Sequence, residues 1–354
     1  VVLGAAGGLL GVGLAWIATR TLAGRTGALL PRGTEIGIDA SVLGAALLVT
    51  IVVAGLAGVL PALRGAKVAP AGELRGGHGG GRRGIRLRRA LVGAEVALAV
   101  LILAGAGLLG RSLLELSRVD PGFESEGRIA MTLTIADQKY PERSAWMGIY
   151  HEILDRLEAR PDVLSAGAIR YLPYRGEGES LVVQVEGIYE PTREEQRYAH
   201  MLQVSEGLFD ALGVELLRGR TVTAADGPED PFVVVVNEAF QREFFAGEDP
   251  LGRRFATGWG PDAPQAEVVG VVADLRHGGL AEDAPPTVYV RNDQVPRIQM
   301  SYVVHAGTDP LALAGALREI VNEVDPDQAI TEVVPLADLA GDELARPRFF
   351  TGLL

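Results

Sequence analysis

From Leu91 to Leu113 the sequence reads LVGAEVALAVLILAGAGLLGRSL, an apolar run set between an arginine cluster and a long polar region. A helix rises about 1.5 Å per residue and a hydrocarbon core takes roughly 20 apolar residues, so this run is long enough to cross a membrane. That fixes the problem the rest of the chain must solve. Residues before the run lie in lipid or on one side of it, and residues after the run lie on the other side.

Charge gives the crossing a direction. Residues 64–90 carry Arg64, Lys67, Arg75, Arg82, Arg83, Arg86, Arg88 and Arg89 against Glu73 alone, a balance of +7. From Leu114 onward 21 Lys/Arg face 41 Asp/Glu, a balance of −20. The overall −12 averages two opposite regions and says little by itself. Basic residues beside membrane segments stay on the cytoplasmic side, so 64–90 reads as cytoplasmic and the acidic region after Leu113 as extracytoplasmic. An acidic surface repels phosphates, which argues against nucleic-acid binding there. The chain has no cysteine, so disulfides, thiolate metal sites and cysteine nucleophiles are excluded.

Val1 to Ala18 carries no charge, and Trp16 stands near Arg20 as an interfacial aromatic would. Its glycine string could pass for a dinucleotide loop. That loop needs a preceding strand and an acidic residue about 20 positions on, whereas here the apolar run continues. Gly4, Gly8 and Gly11 instead fit the small-residue spacing of packed membrane helices. A second apolar run covers about 42–63, ending at Pro61-Ala-Leu-Arg64, and residues 20–40 between the runs then face outside. Gly76 to Gly84 is a flexible linker by composition. His78-Gly-Gly-Gly81 matches an esterase oxyanion loop, but no G-x-S-x-G elbow accompanies it. Glu95, an ionisable residue inside a membrane run, is a candidate proton or substrate site, but seven positions from Arg88 and on the same helical face it reads rather as an interface-anchored carboxylate. The chain begins inside an apolar run and stops just after Arg348-Phe-Phe350, and it reads as a piece of a longer membrane protein.

Beyond Asp120-Pro-Gly-Phe123 the periodicity changes. Short β-rich runs stand at 129–135, 181–185, 232–236, 267–272 and 301–305. Helical patterns cover 142–159, 237–245 and 310–324. Strands and helices without strict alternation predict an α+β domain of two lobes. Its histidines, His151, His200, His277 and His305, have no zinc-ligand spacing. The acid pairs Glu194-Glu195, Glu248-Asp249 and Glu282-Asp283 lack calcium-loop spacing and read as solvated loops. Asp274-Leu-Arg276-His277 is a charged cluster after a buried strand, yet Gly278-Gly279 marks a turn rather than a reaction centre. The sequence offers no catalytic, cofactor-binding or metal site, and no P-loop with which to hydrolyse ATP.

Six segments in order carry a resemblance: Val119-Asp-Pro-Gly-Phe123, Val204-Ser-Glu-Gly-Leu-Phe-Asp-Ala-Leu-Gly213, Leu217-Arg-Gly-Arg220, Val236-Asn-Glu238, Gly247-Glu-Asp-Pro-Leu-Gly-Arg253 and Val268-Val-Gly-Val-Val-Ala-Asp274. With Pro61-Ala-Leu-Arg64 and Pro70-Ala-Gly-Glu-Leu-Arg75, they make the chain resemble MacB/FtsX-type ABC transporter permeases of the duplicated kind. The resemblance implies transmembrane α-helices plus an α+β two-lobed extracytoplasmic domain, the MacB-like periplasmic core. Residues 1–63 would be the last two transmembrane helices of a first permease unit, and 64–90 a basic cytoplasmic linker. Residues 91–113 would be the first transmembrane helix of a second unit, 114–345 its extracytoplasmic domain and 346–354 the start of a further helix. It implies a bacterial inner-membrane subunit, itself not an enzyme, which couples a separate cytoplasmic ABC ATPase to movements of the outer domain. ATP would bind to that ATPase and no cofactor to this chain. Further implied partners are the lipid bilayer, a periplasmic adaptor or outer-membrane protein and a second copy in a homodimer. The other reading is a non-transporting envelope regulator that activates a cell-wall hydrolase.

Overall fold

The computed structural model describes residues 100–343, except 101, 102, 106, 109, 137, 193 and 259–261. The chain forms two compact units, one of Val1–Leu108 with Leu354 and one of Leu109–Leu353. Among the described residues no helix is long and apolar enough to cross a membrane. The runs at 1–18, 42–63 and 346–354, the basic linker, Glu95 and most of 91–113 lie outside the described residues.

In the second unit, β1 (Arg128–Thr134), α1 (Arg143–Glu158) and β2 (Val163–Ile169) come first. The chain then builds β3 (Glu179–Val182), β4 (Tyr198–Val204), α2 (Leu208–Leu212), β5 (Leu216–Gly219), β6 (Val233–Asn237), α3 (Glu238–Phe244), β7 (Arg254–Ala256), β8 (Gln265–Val272) and β9 (Thr287–Arg291). It returns through β10 (Gln299–Ala306), a 3-10 turn at Pro310–Ala312, α4 (Leu313–Val324) and β11 (Ala329–Pro335). The strands lie in the order β11-β1-β10-β2-β4-β9-β6-β8-β5, with β3 added to β4 and β7 to β8.

Instead of two separate lobes, the strand order shows one continuous sheet made of a compact unit and an insertion into it. Strands β11, β1, β10 and β2 are antiparallel and, with α1 and α4, form a β-α-β-β-α-β unit. Everything from β3 to β9 is inserted between its second and third strands. The sheet runs on across the seam, but β2 and β4 share only the pair Ile169↔Val204.

Three apolar clusters hold this arrangement. Helix α1 buries Met147, Tyr150, Ile153, Leu154 and Leu157, a three-and-four spacing that places one stripe on the sheet. With Leu313, Leu317, Ile320 and Val321 of α4 these cover one face of the first half. Each fully buried side chain of this size contributes roughly 1.5–3 kcal/mol. In the inserted half, Phe240, Phe244 and Phe245 pack under the valines of β6 and β8. A third cluster lies at the seam and joins Phe209 and Leu212 of α2 to Ile169, Val204 and Val303.

Asn237 explains one of the sequence motifs. Fully buried, its Oδ1 accepts from Phe240 N–H at 3.0 Å and from Thr287 N–H at 2.8 Å, and its Nδ2 donates to the Pro285 carbonyl at 2.9 Å. It therefore caps α3 and ties β6 to β9 at once. Asn237→Ala should cost about 2–4 kcal/mol, more than a cap alone, because buried partners are left unmet. A denaturation midpoint unchanged from wild type would refute the assignment.

Candidate functional site: where the chain joins and leaves the domain

The incoming chain is helical at 110–116 and turns at Asp120-Pro-Gly122. Gly122 N–H donates to Asp120 Oδ1 at 2.9 Å. Its φ of 80° is left-handed, and a Cβ there would lie 2.0 Å from the Asp274 carbonyl oxygen. Only glycine lets the two loops approach so closely. Arg276 N–H donates to the Pro121 carbonyl across the same contact at 3.1 Å. Phe123 is buried and tilts its ring onto Tyr174, with centroids 5.8 Å apart.

Arg128 then fastens the incoming chain to α2. Although 3% exposed, its guanidinium donates to the Ala211 carbonyl at 2.7 Å, the Glu126 carbonyl at 2.9 Å and Glu124 Oε2 at 2.6 Å. Glu124 N–H donates to the Leu212 carbonyl at 2.9 Å, so the end of α2 is held twice.

The outgoing chain meets the same place. Strand β11 passes into a helical stretch at 336–343, and Leu336 and Leu339 are buried with Phe123, Leu275, Phe209 and Leu212 in the seam cluster. Arg175 reaches Glu332 at 3.1 Å and Asp342 at 3.7 Å. Both covalent connections of the domain thus end in one core.

Tyr174 and His277 lie at the middle of this joint. Tyr174 adopts a φ of 66°, unusual for a bulky residue, and its N–H donates to the His277 carbonyl at 2.9 Å. His277 is 1% exposed, and among the described residues neither ring nitrogen has a hydrogen-bond partner. Burial, with His200 nearby, pushes its pKa down to about 3, so the ring is neutral near pH 7.

The histidines singled out in the sequence do not come together as ligands, and among the described residues no group of three His, Cys, Asp or Glu is placed to hold a metal. His151 pairs with Asp293 at 3.1 Å, which raises its pKa. His200 Nδ1 lies 2.6 Å from the Glu177 carbonyl, and burial lowers the pKa of His305. Glu248 pairs with Arg253, Asp249 with Arg218 and Asp283 with Arg276, while Glu195 accepts from Thr192. Asp274 accepts from Ala239 N–H at the start of α3 and from Arg242. Its carboxylate therefore organises a helix end rather than a reaction. Arg128 and Tyr174 escaped the sequence reading, because neither a buried guanidinium nor a left-handed tyrosine leaves a local pattern.

A cleft of about 680 Å³ is lined by Asp155, Glu158, Glu206, Asp210, Arg291 and Asp293. Burial, then Asp155 and Glu206, raises the Glu158 pKa.

Of the six segments in order through which the sequence resembles MacB/FtsX-type permeases, those at 119–123, 204–213 and 268–274 contribute to the joint, and the others lie in the inserted half. The profile of the MacB-like periplasmic core domain matches residues 96–334, the greater part of the chain. The chain belongs to the MacB-like periplasmic core domain family. This makes it a member of the ABC transporter permeases that carry such a domain, as the resemblance implied, and the expected α+β class holds for the domain. A curated relative, the macrolide export ATP-binding/permease protein MacB of Aggregatibacter actinomycetemcomitans, is 35% identical over 82 residues. That match spans 23% of this chain and 12% of the relative. Among solved structures, the periplasmic region of MacB from Actinobacillus actinomycetemcomitans superposes with a TM-score of 0.43 at 15% identity, over 64% of this chain and 96% of that one. The extracellular domain of the noncanonic ABC-type transporter YknZ from Gram-positive bacteria gives 0.38 at 12% identity, over 58% and 100%.

Proposed function

We propose that the chain is part of a multi-pass inner-membrane permease subunit that passes movement from a separate cytoplasmic ABC ATPase to the domain at 114–345, in the service of efflux. The observation that supports this most directly is the convergence of the incoming Phe123 and the outgoing Leu336 and Leu339 on one buried cluster. A shift of either membrane-side segment would be felt by the same core, and packed cores move between discrete arrangements rather than deforming smoothly. In this reading residues 91–113 are the helix that delivers the shift, 1–63 end a preceding permease unit and 64–90 link the two on the cytoplasmic side. The −20 charge balance after Leu113 supports an extracytoplasmic domain, and the +7 of the linker supports a cytoplasmic one.

The test is affinity purification of the full-length protein from membranes. An ABC ATPase should copurify, and a periplasmic adaptor or outer-membrane protein recovered with it would support efflux in particular. Recovery with a cell-wall hydrolase and no export defect on deletion would replace efflux with envelope regulation. Absence of any ATPase would end the coupling reading.

A further inference from the structure

The joint places two local penalties side by side. Tyr174 holds a left-handed backbone that its side chain disfavours. His277, in full burial, keeps both ring nitrogens without a hydrogen-bond partner among the described residues. The two are one unit, because Tyr174 N–H donates to the His277 carbonyl. The unit also lies between the two connections: Phe123 of the incoming chain packs its ring at a tilt against Tyr174, whose hydroxyl pKa is raised by burial and then by Glu343 on the outgoing side, with Arg276 opposing and Asp120 on the incoming side adding to it. A strained backbone persists only where the packing around it over-determines it, and such residues cluster in switch regions, where loosening the packing releases the strain.

We propose that this joint is an acid-sensitive switch, with an open arrangement in which the Tyr174 to His277 hydrogen bond is broken and the imidazole reaches water, and which protonation of His277 favours. The inference rests on the coupling role proposed above and supplies its regulation. The groups that face the imidazole come from every neighbouring element. His200 stands on β4 and Tyr289, with its ring centroid 6.4 Å away, on β9. Glu177 and Glu282 flank Gly278, and Glu343 lies beside Gly279. Asp274 and Arg276 belong to the loop of His277 itself. None of them makes a hydrogen bond to its ring, so no carboxylate holds the proton on it while the joint is closed.

The linkage has a definite sign. Closed, the ring titrates at about 3; opened to water it returns to about 6.5. Between those values only the open state binds the proton, so the opening constant rises about tenfold for each pH unit lost. The stability of the closed joint is complete above about pH 6.5 and declines as pH falls toward 3.

Hydrogen exchange of the full chain in detergent, followed by mass spectrometry from pH 6.5 to 4.5, reads this directly. Where reclosing outpaces exchange, the chemical rate falls about tenfold per pH unit and the opening gain cancels it. Peptides reporting the Tyr174 amide should therefore exchange at a nearly constant rate. Those reporting Val235 and Val303 in the sheet should slow about a hundredfold over the same range. His277→Leu should restore the hundredfold fall at Tyr174. A Tyr174 amide that slows with the sheet amides overturns the proposal, as does a flat profile that survives His277→Leu. If that variant does not fold, the wild-type profile decides alone. A normal profile would remove the acid switch and leave coupling standing, whereas failure to recover an ATPase would remove coupling and leave the profile to be read.

Discussion

Arg128→Ala should lower the thermal midpoint of the full-length protein by about 6–12 °C, equivalent to roughly 3 kcal/mol for a domain of this size. The guanidinium is almost fully buried and serves the Ala211 and Glu126 carbonyls as well as Glu124. Truncation leaves buried acceptors unmet and a hole where the side chain stood. The exposed end of the ion pair is a minor part of the effect, since the Glu124 side chain is 67% exposed and screened by solvent. Arg128→Lys should recover little, because a point charge on a flexible stem cannot reproduce three donors in a fixed plane. Arg143→Ala, at an exposed position on α1, is the control and should shift stability by less than about 0.5 kcal/mol. Equal melting of the two alanine variants would refute the role given to Arg128.

Gly167→Ala should be at least as damaging, for a steric reason. Gly167 is on β2, and an added Cβ would lie 2.4 Å from Leu208 Cα, 2.5 Å from Leu208 N and 2.9 Å from the Gly207 carbonyl carbon. All three are backbone atoms, so no rotamer change relieves the clash, and α2 must move off the strand. Overpacking of this kind costs about 1–3 kcal/mol when side chains can yield, and the upper end or beyond is expected here. Proteolysis should then open the chain between residues 205 and 214 first. Gly315→Ala on α4 is the instructive contrast: nothing lies within 4 Å of its Cβ position, and alanine there should stabilise by about 0.5–1 kcal/mol. A cleavage pattern in Gly167→Ala identical to wild type would show that α2 does not rest on β2 as described.

Gly167 also shows why part of the fold was hidden in the sequence. The valine-rich strands β6 and β8, together with β1 and β10, were legible because their branched side chains fill one cluster or the other, and α1, α3 and α4 were legible from their stripes. Strand β2 reads VLSAGAI and looks like a loop. Its small residues are required by α1 and α2 pressing on its two faces, a tertiary demand that no local propensity reports. Strand β9 is five residues long and buried throughout, so it has no alternation to find. The site was legible only in pieces. Val119 to Phe123 and Val268 to Asp274 stood out as segments, yet nothing local says that Gly122 abuts the Asp274 carbonyl or that Tyr174 bonds to His277.

The pairing of β1 with β11 has a mechanical consequence. The incoming chain starts β1 and the outgoing chain finishes β11, and Ile129 faces Pro335 across the two strands. Neighbouring strands are about 4.8 Å apart, so the domain is carried on two tethers with a very short baseline. Under the proposed coupling, a difference in height between the tethers would scarcely stretch the sheet. It would act as a torque about a narrow pivot, and the inserted half, which lies outside the direct β1–β11 pairing, would be swung as the far end of a lever.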